Sequence, residues 1–147
     1  MLLLGRPVAC SNGGLAVSDG VLLVVDDNPA DIRFIEEAFS DSALTPTILR
    51  STTREEALDI IYRRNDYADA PDLDVVLLDW NLSRSTGEEV LTAATSVTPT
   101  IPVIVMTGTK AEMESMKSNI SQAETVVEKS PYPEDYVDHL RPYLISR

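Results

Sequence analysis

The chain has 147 residues, enough for one domain with a core of its own, and its 44% hydrophobic and 24% charged residues exclude disorder over most of its length. Its longest apolar runs, Val21–Val25, Val75–Leu78 and Ile101–Met106, fall far short of the ~20 residues that span a bilayer. Twelve Lys and Arg against 24 Asp and Glu leave a net charge of −12, which excludes nucleic acid and an anionic membrane surface as direct partners.

Residues 1–20 hold Gly5, Pro7, Asn12, Gly13, Gly14 and Gly20 and read as a flexible N-terminal tail. Their apolar start is three Leu followed by Gly, Arg and Pro, too short for an export signal, which needs ~7–15 apolar residues. Cys10 is the one cysteine, so no intramolecular disulfide forms. A cytoplasmic location is expected.

The folded part begins at Val21. Val21–Val25 is a short, wholly apolar run, as a strand buried on both faces requires. Asn28 then caps a helix with Pro29 at its first position and Ile32, Ile35, Ala38 and Phe39 inward. A second strand is expected over Leu44–Leu49. Thr53 and Glu56 form a capping box that opens a helix with Ala57, Leu58, Ile60 and Ile61 on one side. Val75–Leu78 is the third strand. After Gly87 a helix runs from about Glu88, with Val90, Leu91 and Ala94 inward. Val103–Met106 is the fourth strand, Ala111–Asn119 a more polar helix, Thr125–Glu128 a weaker fifth strand, and Pro133–Ile145 the last helix. Strands that alternate with helices imply an α/β fold: a five-stranded parallel, doubly wound sheet flanked by five helices.

Ligands of such sheets bind beyond the carboxyl ends of the strands. Asp26 and Asp27 follow strand one, Asp79 strand three, Thr107 and Gly108 strand four, and Lys129 strand five. Three carboxylates brought together repel one another unless a cation joins them, and a hard ion such as Mg²⁺ suits one or two carboxylates plus waters. Lys129 and the Thr107 hydroxyl can each serve an oxyanion carried by a carboxylate. The set points to a phosphoryl group held on a carboxylate. Taken singly, each residue has a plainer reading: a helix cap, a turn, a strand exit, a solvated charge.

Asp26-Asp27, Leu77-Leu78-Asp79-Trp80-Asn81-Leu82 with Gly87 downstream, Val105-Met106-Thr107-Gly108 and Glu128-Lys129-Ser130-Pro131 together resemble the receiver domain of two-component response regulators, over residues 21 to about 145. The resemblance implies the flavodoxin-like receiver fold over residues 21–147. It implies a phosphoryl group taken from a sensor histidine kinase onto Asp79, and Mg²⁺ bound by Asp26, Asp27, Asp79 and the backbone carbonyl of Asn81. Thr107 matches the switch hydroxyl, Lys129 the lysine that pairs with the phosphoryl group, and Gly108 the small residue that leaves it room. The run Asp27-Asn28-Pro29-Ala30-Asp31-Ile32 is most similar to single-domain regulators that partner phytochrome-like and other sensor kinases. Catalysis of this kind is limited to self-phosphotransfer and autodephosphorylation, so the chain is not expected to be a conventional enzyme.

Two positions depart from the family pattern. Ser83 stands where a proline is common, and Val126 where an aromatic switch residue is usual. Only 18 residues follow Lys129, one helix and no output domain. A stand-alone receiver is therefore expected, signalling through contacts with a downstream protein target, a phosphotransfer protein or a second copy of itself. A receiver-like docking module that is never phosphorylated is the alternative. A flavin carrier would want a phosphate loop where Asp26-Asp27 stands, and a phosphatase a carboxylate where Asn81 stands. Lys occurs only at Lys110, Lys117 and Lys129, and this acid-rich, lysine-poor balance suits a salt-rich, halophilic cytoplasm. Trp80 is expected to pack on the following helix. His139, Glu112, Glu114, Asp135 and Asp138 read as solvated surface.

Overall fold

A computed structural model describes residues 19–82, 85–97, 99–119 and 122–144. The tail expected over residues 1–20, Cys10 included, lies outside these apart from Asp19 and Gly20, as does Ser83. Gly20 is buried with φ 131°, and its carbonyl accepts the Thr47 N–H at 2.8 Å. A side chain there would be strained by that backbone angle and would press on Leu144 and Asp74 at 3.1 Å.

Strands β1 (Val21–Val25), β2 (Thr47–Ser51), β3 (Val75–Asp79), β4 (Val103–Thr107) and β5 (Thr125–Glu128) form one parallel sheet in the order β2-β1-β3-β4-β5. Helices α1 (Pro29–Ser40), α2 (Arg54–Tyr62), α3 (Glu88–Ser96), α4 (Lys110–Asn119) and α5 (Pro133–Leu144) connect and flank it. This is the architecture expected from the sequence.

Every residue of β3 and β4 is buried, which explains why these strands read as unbroken apolar runs. Their side chains alternate between two cores. Leu22, Val24, Leu77 and Ile104 pack with α1 and α5 on one face. Leu23, Val25, Leu78 and Val105 pack with α2, α3 and Met116 of α4 on the other. Each fully buried Leu or Val contributes ~1.5–3 kcal/mol relative to exposure, so β3 and β4, which carry Asp79 and Thr107 into the site, are firmly anchored.

Two local expectations change. The second strand begins at Thr47, not Leu44, because Pro46 has no N–H for a ladder and Leu44 is tied into a turn by the Ser42 hydroxyl, which accepts its N–H at 3.1 Å. Beyond β3 the chain forms a small antiparallel pair, Asn81–Leu82 with Ser85–Thr86, too short to show in the periodicity. Gly87 closes this hairpin by donating its N–H to the Trp80 carbonyl at 2.9 Å. A Cβ at Gly87 would meet the Leu78 side chain at 2.9 Å, so only glycine lets the loop return this close to β3.

Candidate functional site

The strands are parallel, so their carboxyl ends share one edge of the sheet. Asp26 leaves β1 with its N–H still on the ladder, donating to the Ser51 carbonyl at 3.0 Å. Asp79 and Thr107 are the last residues of β3 and β4. Lys129 follows β5, its N–H donating to the Thr107 carbonyl at 2.8 Å. The backbone ladder therefore sets where four of the functional side chains start.

Asp26, Asp79 and Thr107 are buried, with relative exposures of 0%, 4% and 0%. One carboxylate oxygen from each of Asp26, Asp27 and Asp79 lies within 4.8 Å of the others. Three hard oxygen donors of like charge this close suit a divalent cation, and the cluster can hold one. Asp26 Oδ1 accepts the Asn28 N–H at 2.9 Å, and Asp79 Oδ1 the Asn81 N–H at 3.1 Å. The remaining oxygens turn to Lys129, whose Nζ donates to Asp26 at 3.3 Å, Asp79 at 3.2 Å and Asp31 at 2.9 Å. All three ammonium donors are thus committed to carboxylates.

Burial pushes Asp26 up from 3.8 to about 6; the Asn28 N–H and the Lys129 charge hold it down, and Asp79 and Asp31 add to the rise. Burial likewise raises Asp79, opposed by Lys129 and the Asn81 N–H. Burial works against the charge on Lys129, but the bond to Asp31 and the charges of Asp26 and Asp79 outweigh it and hold the ammonium above its usual range. The folded chain therefore binds the Asp26 proton more tightly than the unfolded chain does. That gives a stabilisation complete below about pH 4 and lost as the pH climbs past about 6. The melting temperature of the metal-free protein should fall across this window. Excess Mg²⁺ should cancel the fall, because it binds the ionised carboxylates; a melting temperature that rises steadily with pH in EDTA contradicts the assignment.

The sequence-predicted residues Asp26, Asp27, Asp79, Asn81, Thr107, Gly108 and Lys129 all lie at this edge. The Thr107 hydroxyl, however, is turned to the Thr109 carbonyl, to which it donates at 3.2 Å. A Cβ at Gly108 would meet nothing within 4 Å, so open space lies beside this backbone. Trp80 is half-buried against the core that α2 and α3 cover. Val126 is buried in that same core, alongside Met113 and Met116 of α4. His139 is exposed.

Two site residues escaped the sequence reading. Asp31, in the first turn of α1, makes the shortest of the Lys129 contacts. Glu112 was expected on a solvated face, but its carboxylate accepts from the Asn81 side-chain amide at 3.2 Å and from the Gly108 N–H at 3.3 Å. Asp135, likewise read as solvated, accepts the Ser130 hydroxyl at 2.6 Å. Beside Lys129 a cavity of about 80 Å³ is walled by Asp31, Phe34, Met106 and Tyr136. Tyr136 stands edge-on to Phe34 and accepts the Ser130 N–H at 2.9 Å, which braces the loop that carries Lys129.

The family model of the response regulator receiver domain matches residues 22–141. The chain is similar to the response regulator Rcp1 of Synechocystis sp., at 30% identity over 101 residues, 67% of this chain and 68% of that protein. Among solved structures it is similar to the phosphorylated cyanobacterial phytochrome response regulator RcpA, with a TM-score of 0.72 and 28% identity, over 86% of this chain and 94% of that one. It is also similar to a response regulator in red light signaling of R. palustris, with a TM-score of 0.68 and 26% identity, over 83% of this chain and 89% of that one.

Proposed function

The chain belongs to the response regulator receiver family, and from that membership we propose that Asp79 accepts a phosphoryl group from a sensor histidine kinase. The observation that carries the reading is the state of the Asp79 carboxylate. It is buried at a strand end, held on one oxygen by the Asn81 N–H and on the other by Lys129, and clustered with Asp26 and Asp27. In the transfer an Asp79 oxygen attacks phosphorus, the phosphorus–nitrogen bond of the phosphohistidine breaks, and the imidazole leaves with a proton from solvent. Asp26, Asp27 and Asp79, with the Asn81 carbonyl as a further ligand, are the residues that would hold Mg²⁺. Mg²⁺ supplies neutralisation of the phosphoryl oxygens. Lys129 follows the charge from the carboxylate to the new phosphoryl oxygens, and Thr107 exchanges the Thr109 carbonyl for one of them.

Removal of the metal tests the reading. EDTA should abolish incorporation from acetyl phosphate, and added Mg²⁺ should restore it. Asp27→Asn should weaken Mg²⁺ binding, followed by Trp80 fluorescence, by roughly tenfold or more. Incorporation that is indifferent to EDTA contradicts the role given to the acidic cluster.

The likeness to phytochrome response regulators supports a phytochrome-type sensor kinase as the upstream partner. Among the described residues no helix is long and apolar enough to cross a membrane. A cytoplasmic receiver that signals by protein contact fits this reading. Its acid-rich, lysine-poor sequence suits a salt-rich cell, which the dependence of its melting temperature on KCl tests.

A further inference from the structure

We infer that Glu112 gates the phosphoryl subsite: in the unphosphorylated chain its carboxylate occupies strand-end donors and adds negative charge that an incoming phosphoryl group has to displace. The inference rests on the reading of Asp79 as the acceptor. Glu112 lies in the first turn of α4, where the Thr109 hydroxyl accepts its N–H at 3.1 Å. An ordinary capping box would send the carboxylate back to the N–H of the capping residue itself. Here it reaches one residue further, to the Gly108 N–H, and on to the Asn81 side-chain amide across the loop. Asn81 is shared, its backbone N–H on Asp79 and its side chain on Glu112.

The same first turn also holds the Thr107 hydroxyl, through the Thr109 carbonyl. Both donors at the end of β4, the Thr107 hydroxyl and the Gly108 N–H, are therefore engaged by acceptors of α4 and the residue before it. A comparison within the chain separates this from simple capping. Glu56 of α2 makes a similar reach to the Thr52 N–H, at 3.4 Å, but its other oxygen takes the Tyr67 hydroxyl, away from the strand ends. Of the two, it is Glu112 that carries the motif onto the loops around Asp79. Charge acts in the same direction. Asp26, Asp27, Asp31 and Asp79 already outnumber Lys129, and a further carboxylate raises the cost of bringing in an anionic phosphoryl donor. Once the phosphoryl group takes the Thr107 and Gly108 donors, Glu112 and the start of α4 are released together, and no ring at position 126 is needed.

The test compares wild type, Glu112→Gln and Glu112→Ala for the rate of phosphoryl incorporation from acetyl phosphate with Mg²⁺. It is run at the lowest KCl at which circular dichroism shows all three folded, and again at high KCl. Gln keeps the size of the side chain and a capping group, and removes the charge. Both variants should react faster, by roughly threefold to tenfold at low salt, with the advantage shrinking at high salt. Equal rates in wild type and Glu112→Gln, with Glu112→Ala merely less stable, would reduce Glu112 to a helix cap and overturn the gate alone. No incorporation in any of the three overturns the acceptor role of Asp79, and the gate with it.

Discussion

Asp79→Asn is expected to remove phosphoryl incorporation altogether, a fall of about a thousandfold or more, while the fold survives. An amide oxygen is not a nucleophile towards phosphorus at neutral pH, and no other described carboxylate combines burial at a strand end with bonds from both Asn81 and Lys129. The fold survives because the amide oxygen can still accept the Asn81 N–H, and Lys129 keeps Asp26 and Asp31. The substitution also removes one of the like charges that raise the Asp26 pKa. The metal-free variant should therefore melt no lower than wild type at pH 8 and take up less Mg²⁺. Intact mass and a melting curve check both halves of the expectation. A variant that is phosphorylated as well as wild type places the acceptor elsewhere.

The second large effect is expected of Lys129→Met. Lys129 is the ammonium bonded to Asp26, Asp31 and Asp79, and Asp26 has no exposure to water through which to recover solvation. Loss of one partner of a buried ion pair costs ~3–5 kcal/mol. The Lys129 side chain is itself 30% exposed, so a loss of about 2–3 kcal/mol is expected at pH 8 without metal. The deficit should shrink below about pH 6, where Asp26 takes up a proton, and shrink again in excess Mg²⁺. Urea unfolding at pH 8 and pH 5, with and without Mg²⁺, measures it. A deficit that is the same in all four conditions would mean that Lys129 acts by packing alone.

The fold was legible because burial on both faces leaves so plain a trace. Val21–Val25 and Val75–Asp79 have no polar residue before the strand end, and a polar residue follows at once because function sits there. The same contrast made Asp26, Asp79, Thr107 and Lys129 readable. What escaped had an ordinary local explanation. Asp31 and Glu112 both stand in first turns of helices, where an acid is expected simply from the helix dipole. Their second partners, Lys129 and Asn81, lie far away in sequence, and only the sheet order brings them together. The start of β2 slipped by three residues because Leu44 is buried without being in a strand.

Val126 is buried in the core beside α4. In this chain the residue on β5 before Val127 and Glu128 is aliphatic and packed under α4, so movement of α4 cannot be read out by a ring swinging at that position. Among the described residues, the bonds from Thr107, Gly108 and Asn81 link the strand ends around Asp79 to the start of that helix.

Asp79 is the proposed carrier of the phosphoryl group. The most direct test is the intact mass of the wild-type chain after incubation with acetyl phosphate and Mg²⁺ in high KCl, followed by mapping of the modified peptide. One added phosphoryl group, located on the peptide that contains Asp79 and missing when EDTA is present, is the predicted result. An adduct on another residue, or a folded chain that takes up no phosphoryl group and shows no Trp80 response to beryllofluoride, would contradict it.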